Sequence, residues 1–121
     1  MFQKTGEVNK NLQAILNVEL QTGANLNCLL DTGFQGTLVV SRKFAEENSL
    51  TITGRETFLG AENRSIEFDT AIAEITWLGD EFLLPVLVSE STEALIGAEM
   101  LIDTILEIDY INSTVKITKP K

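Results

Sequence analysis

The sequence has no histidine. Ser-His-Asp and Cys-His catalysis are therefore excluded, and so is the commonest metal ligand. There is one cysteine, Cys28, so neither an internal disulfide nor a cysteine-rich zinc site can form. Cys28 stands in the apolar run Leu26 to Leu30, with nothing beside it to activate a thiol, and reads as a small buried hydrophobe. No stretch approaches the ~20 uninterrupted apolar residues of a membrane span. The longest candidate, Thr70 to Val88, is broken by Glu74, Asp80 and Glu81. The segment Met1 to Glu7 lacks the apolar core of a signal peptide, which points to a cytoplasmic protein. Basic residues are scarce: 9 against 18 acidic ones, a formal net charge of −9. A nucleic-acid binder needs a basic face to displace counterions from phosphates. Neither nucleic acid nor an anionic membrane is an expected partner.

What is present is 121 residues, 44% of them hydrophobic. That suits one domain, 1–121, with a core feasible without disulfides or a structural metal. Leu12 to Leu20 alternates apolar and mostly polar residues, as a half-buried strand does. A turn at Gln21 to Asn25 leads into a second strand, Leu26 to Leu30, and Thr37 to Val40 is a third. Ser41 can cap a short helix, Arg42 to Asn48. Glu56 to Leu59 and Ser65 to Trp77 flank a polar turn and form a hairpin. Phe82 to Val88 is a further strand, with Pro85 at a position needing no ladder donor. Ala98 to Thr104 reads as a second helix, and Leu106 to Ile111 and Thr114 to Thr118 close the chain as a hairpin. Eight or nine short strands and two short helices describe a compact, mainly β barrel or sandwich.

The dipeptide Asp-Thr occurs three times, at Asp31, Asp69 and Asp103. Only Asp31 is followed by glycine, and only Asp31 lies between two apolar strands. Asp69 falls in an alternating strand and is expected to face solvent; Asp103 falls in the second expected helix. Strands on both sides would press an Asp31-Thr32-Gly33 loop into a dry interior. Glycine there permits a tight turn, and the threonine hydroxyl can hold the loop by hydrogen bonding. A plain surface turn is the alternative for the tripeptide taken alone. About sixty residues later comes a second element, Leu95-Ile96-Gly97, feeding a short helix and a strand.

Leu29-Leu30-Asp31-Thr32-Gly33 together with Leu95-Ile96-Gly97 resembles the retropepsin family of aspartic proteases, in its prokaryotic branch. The resemblance spans roughly Leu12 to Ile117. It implies a closed acid-protease barrel with two short helices and an aspartic endopeptidase working as a homodimer on peptide or protein substrates, without cofactor or metal. By the same resemblance Asp31, Thr32 and Gly33 form the catalytic loop, and Gly60 to Ser65 is a flap. The resemblance further implies substrate contacts by Phe34, Gly60, Ala61, Glu62, Asn63, Ile96 and Gly97. Retroviral members carry an alanine and an acidic residue after the triad, and an arginine after the glycine step. This chain has Phe34, Gln35 and Ala98 there. Acid and arginine are lost together, which leaves no unpaired charge. The chain is far too short for two catalytic lobes, so two-fold symmetry must supply the second aspartate. A dimerisation or binding module with the same fold and no turnover is the alternative reading. The chain ends, Leu106 to Thr118 and Phe2 to Asn11, are expected to pair across the dimer.

Overall fold

The computed structural model describes residues 1–59 and 61–120. Ten strands carry the architecture: β1 (Phe2–Val8), β2 (Ala14–Leu20), β3 (Asn25–Leu30), β4 (Leu38–Ser41), β5 (Ile52–Leu59), β6 (Ser65–Trp77), β7 (Asp80–Ser89), β8 (Leu95–Ile96), β9 (Ile105–Asp109) and β10 (Thr114–Lys119). One helix, α1 (Arg42–Glu47), follows β4, and its first turn is capped by Ser41, whose Oγ accepts from Phe44 N at 3.0 Å. The strands join in the order β5-β6-β7-β4-β8-β3-β2-β1-β10-β9, and an added β6–β2 pairing closes a ring through β6, β7, β4, β8, β3 and β2.

Strand periodicity builds the interior. In β2, Ala14, Leu16, Val18 and Leu20 point inward while Ile15, Asn17 and Glu19 point away. In β6, Ala71, Ala73, Ile75 and Trp77 do the same, and they meet Val115 and Ile117 of β10 in one core cluster. Each fully buried Leu, Ile or Val contributes about 1.5–3 kcal/mol relative to exposure. The Trp77 indole N–H, which would be costly if left unpaired, donates to the Met100 carbonyl at 3.0 Å. Cys28 is fully buried, and burial pushes its thiol up to about 12, so it is inert packing as its sequence context implies.

Four expectations need correction. Leu12 is outside β2: it takes a left-handed φ of 62° in a turn where Asn9 Oδ1 accepts from Asn11 N and Gln13 N. The expected helix Ala98 to Thr104 is only a 3₁₀ turn, Ala98–Leu101. Its N-cap, Gly97, offers no side-chain acceptor, Ile102 is extended, and Asp103 is left-handed at φ 62°. Asp69 does not simply face solvent but is held between two arginines. Of the chain-end segments, finally, β1 and β10 are not open edges, whereas β9, within Leu106 to Thr118, is one. β1 pairs with β10 from Phe2↔Lys119 to Glu7↔Thr114, and β10 pairs in turn with β9, so both are satisfied within the chain. The end strands of the pairing order are β5 and β9. Among the described residues no helix is long and apolar enough to cross a membrane.

Candidate active site

Strand β3 carries the chain directly to Asp31. The two-residue strand β8 slips between β3 and β4, with Ile96 opposite both Leu30 and Leu38. The loop from Asp31 to Thr37 thus has its two feet on either side of β8. Backbone groups lock the crossing. Asp31 N donates to Ile96 O at 2.9 Å, Gly97 N to Thr37 O at 2.7 Å, Ala98 N to Phe34 O at 2.8 Å and Glu99 N to Gly36 O at 3.2 Å. Within the loop, Gly33 N donates to Asp31 Oδ1 at 3.0 Å and Phe34 N to Asp31 O at 3.1 Å.

Gly97 is required by space. A Cβ there would lie 2.1 Å from the Gly36 carbonyl oxygen and 2.6 Å from the Phe34 ring. A Cβ on Gly36 would lie 2.4 Å from the tip of the same ring. The Phe34 ring is therefore seated against two glycines, which make room for it beside Asp31.

Asp31 is half-buried, and Thr32 and Gly33 are exposed. Among the described residues no lysine or arginine pairs with Asp31. The Thr32 hydroxyl, expected to hold its own loop, makes no hydrogen bond among the described residues. On one side of the loop lies a cleft of about 600 Å³. Asp31 and Gly33 line it with Phe34, Val39, Leu87 and Leu95, and Phe58, Ile66 and Phe68 line it from the β5–β6 hairpin. The rings of Phe58 and Phe68 meet edge to face at 5.8 Å. On the other side, a second cavity of about 470 Å³ joins Asp31 and Thr32 to Leu12, Ile108 and Tyr110.

The hairpin is anchored by charge at its base. Asp69 accepts from Arg42 at 2.8 Å and from Arg55 at 3.1 Å. Arg42 also reaches Glu90, and Arg55 reaches Glu67. The Arg42 hydrogen bond, and after it the Arg55 one, hold the Asp69 carboxyl below its usual range. β5 is exposed along its whole length. The far end turns through Glu62 and Asn63, both left-handed, at φ 59° and 57°.

The residues named from the sequence separate into three groups. Asp31, Gly33 and Phe34 line the cleft, with Thr32 on the opposite side of the same loop. Ile96 and Gly97 are buried behind the loop and brace it instead of lining the cleft. Ala61, Glu62 and Asn63 form the turn ending the hairpin, and Glu62 and Asn63 are not among the residues lining the cleft. Gly60 lies outside the described residues. Phe58, Ile66 and Phe68 escaped the sequence reading. In the sequence they read as ordinary strand residues, and only the fold brings them to Asp31. Among the described residues no cluster of three acidic or cysteine side chains could hold a metal ion.

No family model matches the sequence, and no curated protein matches it significantly. Solved structures do match. A retropepsin-like aspartic protease from Rickettsia conorii superposes with a TM-score of 0.70, at 16% identity, covering 95% of this chain and 89% of that one. The fold is that of the retropepsin-like aspartic proteases. EIAV protease, in complex with an inhibitor, matches with a TM-score of 0.63 at 22% identity, covering 78% of this chain and 90% of its own. A foamy viral protease–reverse transcriptase matches with a TM-score of 0.53 at 19% identity, over 74% of this chain but 11% of the larger one. Along the chain the Asp31 loop, the β5–β6 hairpin and the β8 crossing follow one another.

Proposed function

We propose that the chain is an aspartic endopeptidase that acts as a homodimer, with one Asp31 from each subunit. The observation that carries this reading is the position of Asp31: a carboxylate without a cation partner among the described residues, on a loop locked by the Gly97 crossing, at the edge of an apolar cleft. Two carboxylates at ~3 Å cannot readily both ionise, so they share one proton. The ionised one takes a proton from water as the water oxygen attacks the substrate carbonyl carbon. The protonated one gives its proton to the carbonyl oxygen. As the diol collapses, the carboxylate that gave its proton takes one back from a diol hydroxyl, the C–N bond breaks, and the other carboxyl protonates the leaving nitrogen, which restores the starting pair. Thr32, whose hydroxyl makes no hydrogen bond among the described residues, braces the partner's loop. The apolar cleft favours apolar side chains next to the scissile bond, and the β5–β6 hairpin closes over them as a flap.

The dimer contact follows from what the fold leaves open. β1 and β10 satisfy each other, so the outer edge of β9 is the available strand on this side of the molecule. The rim beside the Asp31 loop exposes Leu12 (70%), Tyr110 (60%) and Ile111 (93%), an unusual apolar set for a free surface. Pepstatin tests the function most cheaply. It is expected to raise the thermal midpoint and to block cleavage of a mixed peptide library. No cleavage of the library, together with no thermal shift, would contradict the reading.

A further inference from the structure

A second concavity lies away from the Asp31 loop. It measures about 290 Å³ and is lined by Trp77, Leu78, Phe82, Met100 and Ile102, with Glu99 and Asp103 among its polar residues. A smaller groove of about 140 Å³ shares walls with both it and the cleft. Phe34, Phe58 and Leu87 line both the cleft and the groove, and Thr37 and Glu99 line both the groove and this pocket. An extended chain leaving the cleft past Phe34 therefore meets a continuous path to Trp77.

The path is acidic as well as apolar. Glu56 and Glu99 line the groove, and Glu99 and Asp103 line the pocket. Among the described residues none of the three pairs with a lysine or arginine. Lys119, the one cation in the pocket wall, is engaged by Asp80 at 3.2 Å. Unpaired carboxylates around an apolar pocket complement a basic residue next to an apolar one. The volume is at the lower limit for a drug-sized ligand and suits one large side chain. We propose that the pocket beneath Trp77 and Met100 is an exosite, taking an apolar side chain from a basic segment of the substrate polypeptide outside the cleft. This rests on the proteolytic reading above.

Trp77 is the sole tryptophan, so tryptophan fluorescence reports on the core beside this pocket. The probes are two capped tetrapeptides, Lys-Leu-Phe-Lys and Glu-Leu-Phe-Glu, titrated by fluorescence and by calorimetry in case the indole is silent. The basic peptide is expected to bind at least tenfold more tightly and to perturb Trp77. The charge reversal E99K is expected to abolish that preference. For substrates extended by the basic sequence, E99K should raise KM tenfold without changing kcat. Equal affinity for the two tetrapeptides, or an unchanged preference in E99K, would overturn the exosite while leaving proteolysis standing. Selective binding by a chain that cleaves nothing would overturn both the protease reading and the substrate role of the pocket.

Discussion

Asp31 and Asp69 are each followed by threonine, and the two sites differ in almost everything else. Asp69 sits in β6 between the guanidinium groups of Arg42 and Arg55, and its charge ties the base of the hairpin to α1 and β5. Asp31 sits in a loop whose backbone is locked by β8, and no cation among the described residues pairs with it. One carboxylate is consumed by structure. The other is positioned by structure and left available. The dipeptide carries no role of its own; the partners that the fold brings to it decide.

Exchanging each carboxylate for its amide is the sharpest way to break that comparison. Asp31→Asn is expected to reduce peptide cleavage by roughly 10³-fold or more, since it removes the general acid–base pair. Its urea midpoint should hold or rise, because a like-charge contact in the proposed dimer is relieved. Asp69→Asn should do the reverse, leaving catalysis measurable and weakening the hairpin base. Next in size is Gly97→Ala. Its Cβ would collide with the Gly36 carbonyl and the Phe34 ring, so the loop must shift, at a cost of about 1–3 kcal/mol, read from the denaturant midpoint. A variant as stable and active as the wild type would show that the crossing does not position Asp31.

The smallest expected effect is on acid stability. The Asp69 carboxyl is held below its ordinary value of 3.8, chiefly by Arg42 and then Arg55. A folded-state value below the unfolded one stabilises fully above the unfolded value, and that stability is lost as pH falls through the folded one. The wild type should therefore weaken progressively below about pH 4. Asp109, held low mainly by hydrogen bonds from the Asn112 backbone and side chain, contributes in the same direction. Asp69→Asn should lose part of that acid slope and keep the part owed to Asp109. Urea midpoints between about pH 5 and pH 2 would show this. A slope identical to the wild type would mean that the two arginines do not hold Asp69 in solution.

How much of this was readable in the sequence follows from range. β2, β3 and the hairpin are written in local alternation, and Asp31 was singled out by its glycine and flanking strands. The brace behind it was legible as a motif, Leu95-Ile96-Gly97, although its reason, the lack of room for a Cβ against Gly36 and Phe34, is a contact across sixty residues. The cleft walls Phe58, Ile66 and Phe68 read as ordinary strand residues, because nothing local says that they face Asp31. The helix expected at Ala98 to Thr104 failed on local chemistry: Gly97 cannot cap it, and Asp103 turns left-handed. The role of β1 was hidden because its pairing with β10 joins opposite ends of the chain, Phe2 to Lys119.

The central claim is that one chain holds half a catalytic site. Sedimentation and activity followed together across a dilution series test it most directly. The account predicts a dimer at high concentration whose specific activity falls as it dissociates. A net charge of −9 per subunit opposes association, so added salt should tighten the dimer and restore activity at a given dilution. A chain that stays monomeric at every concentration, yet cleaves peptides in simple proportion to its amount, would contradict the shared Asp31 pair and the mechanism built on it.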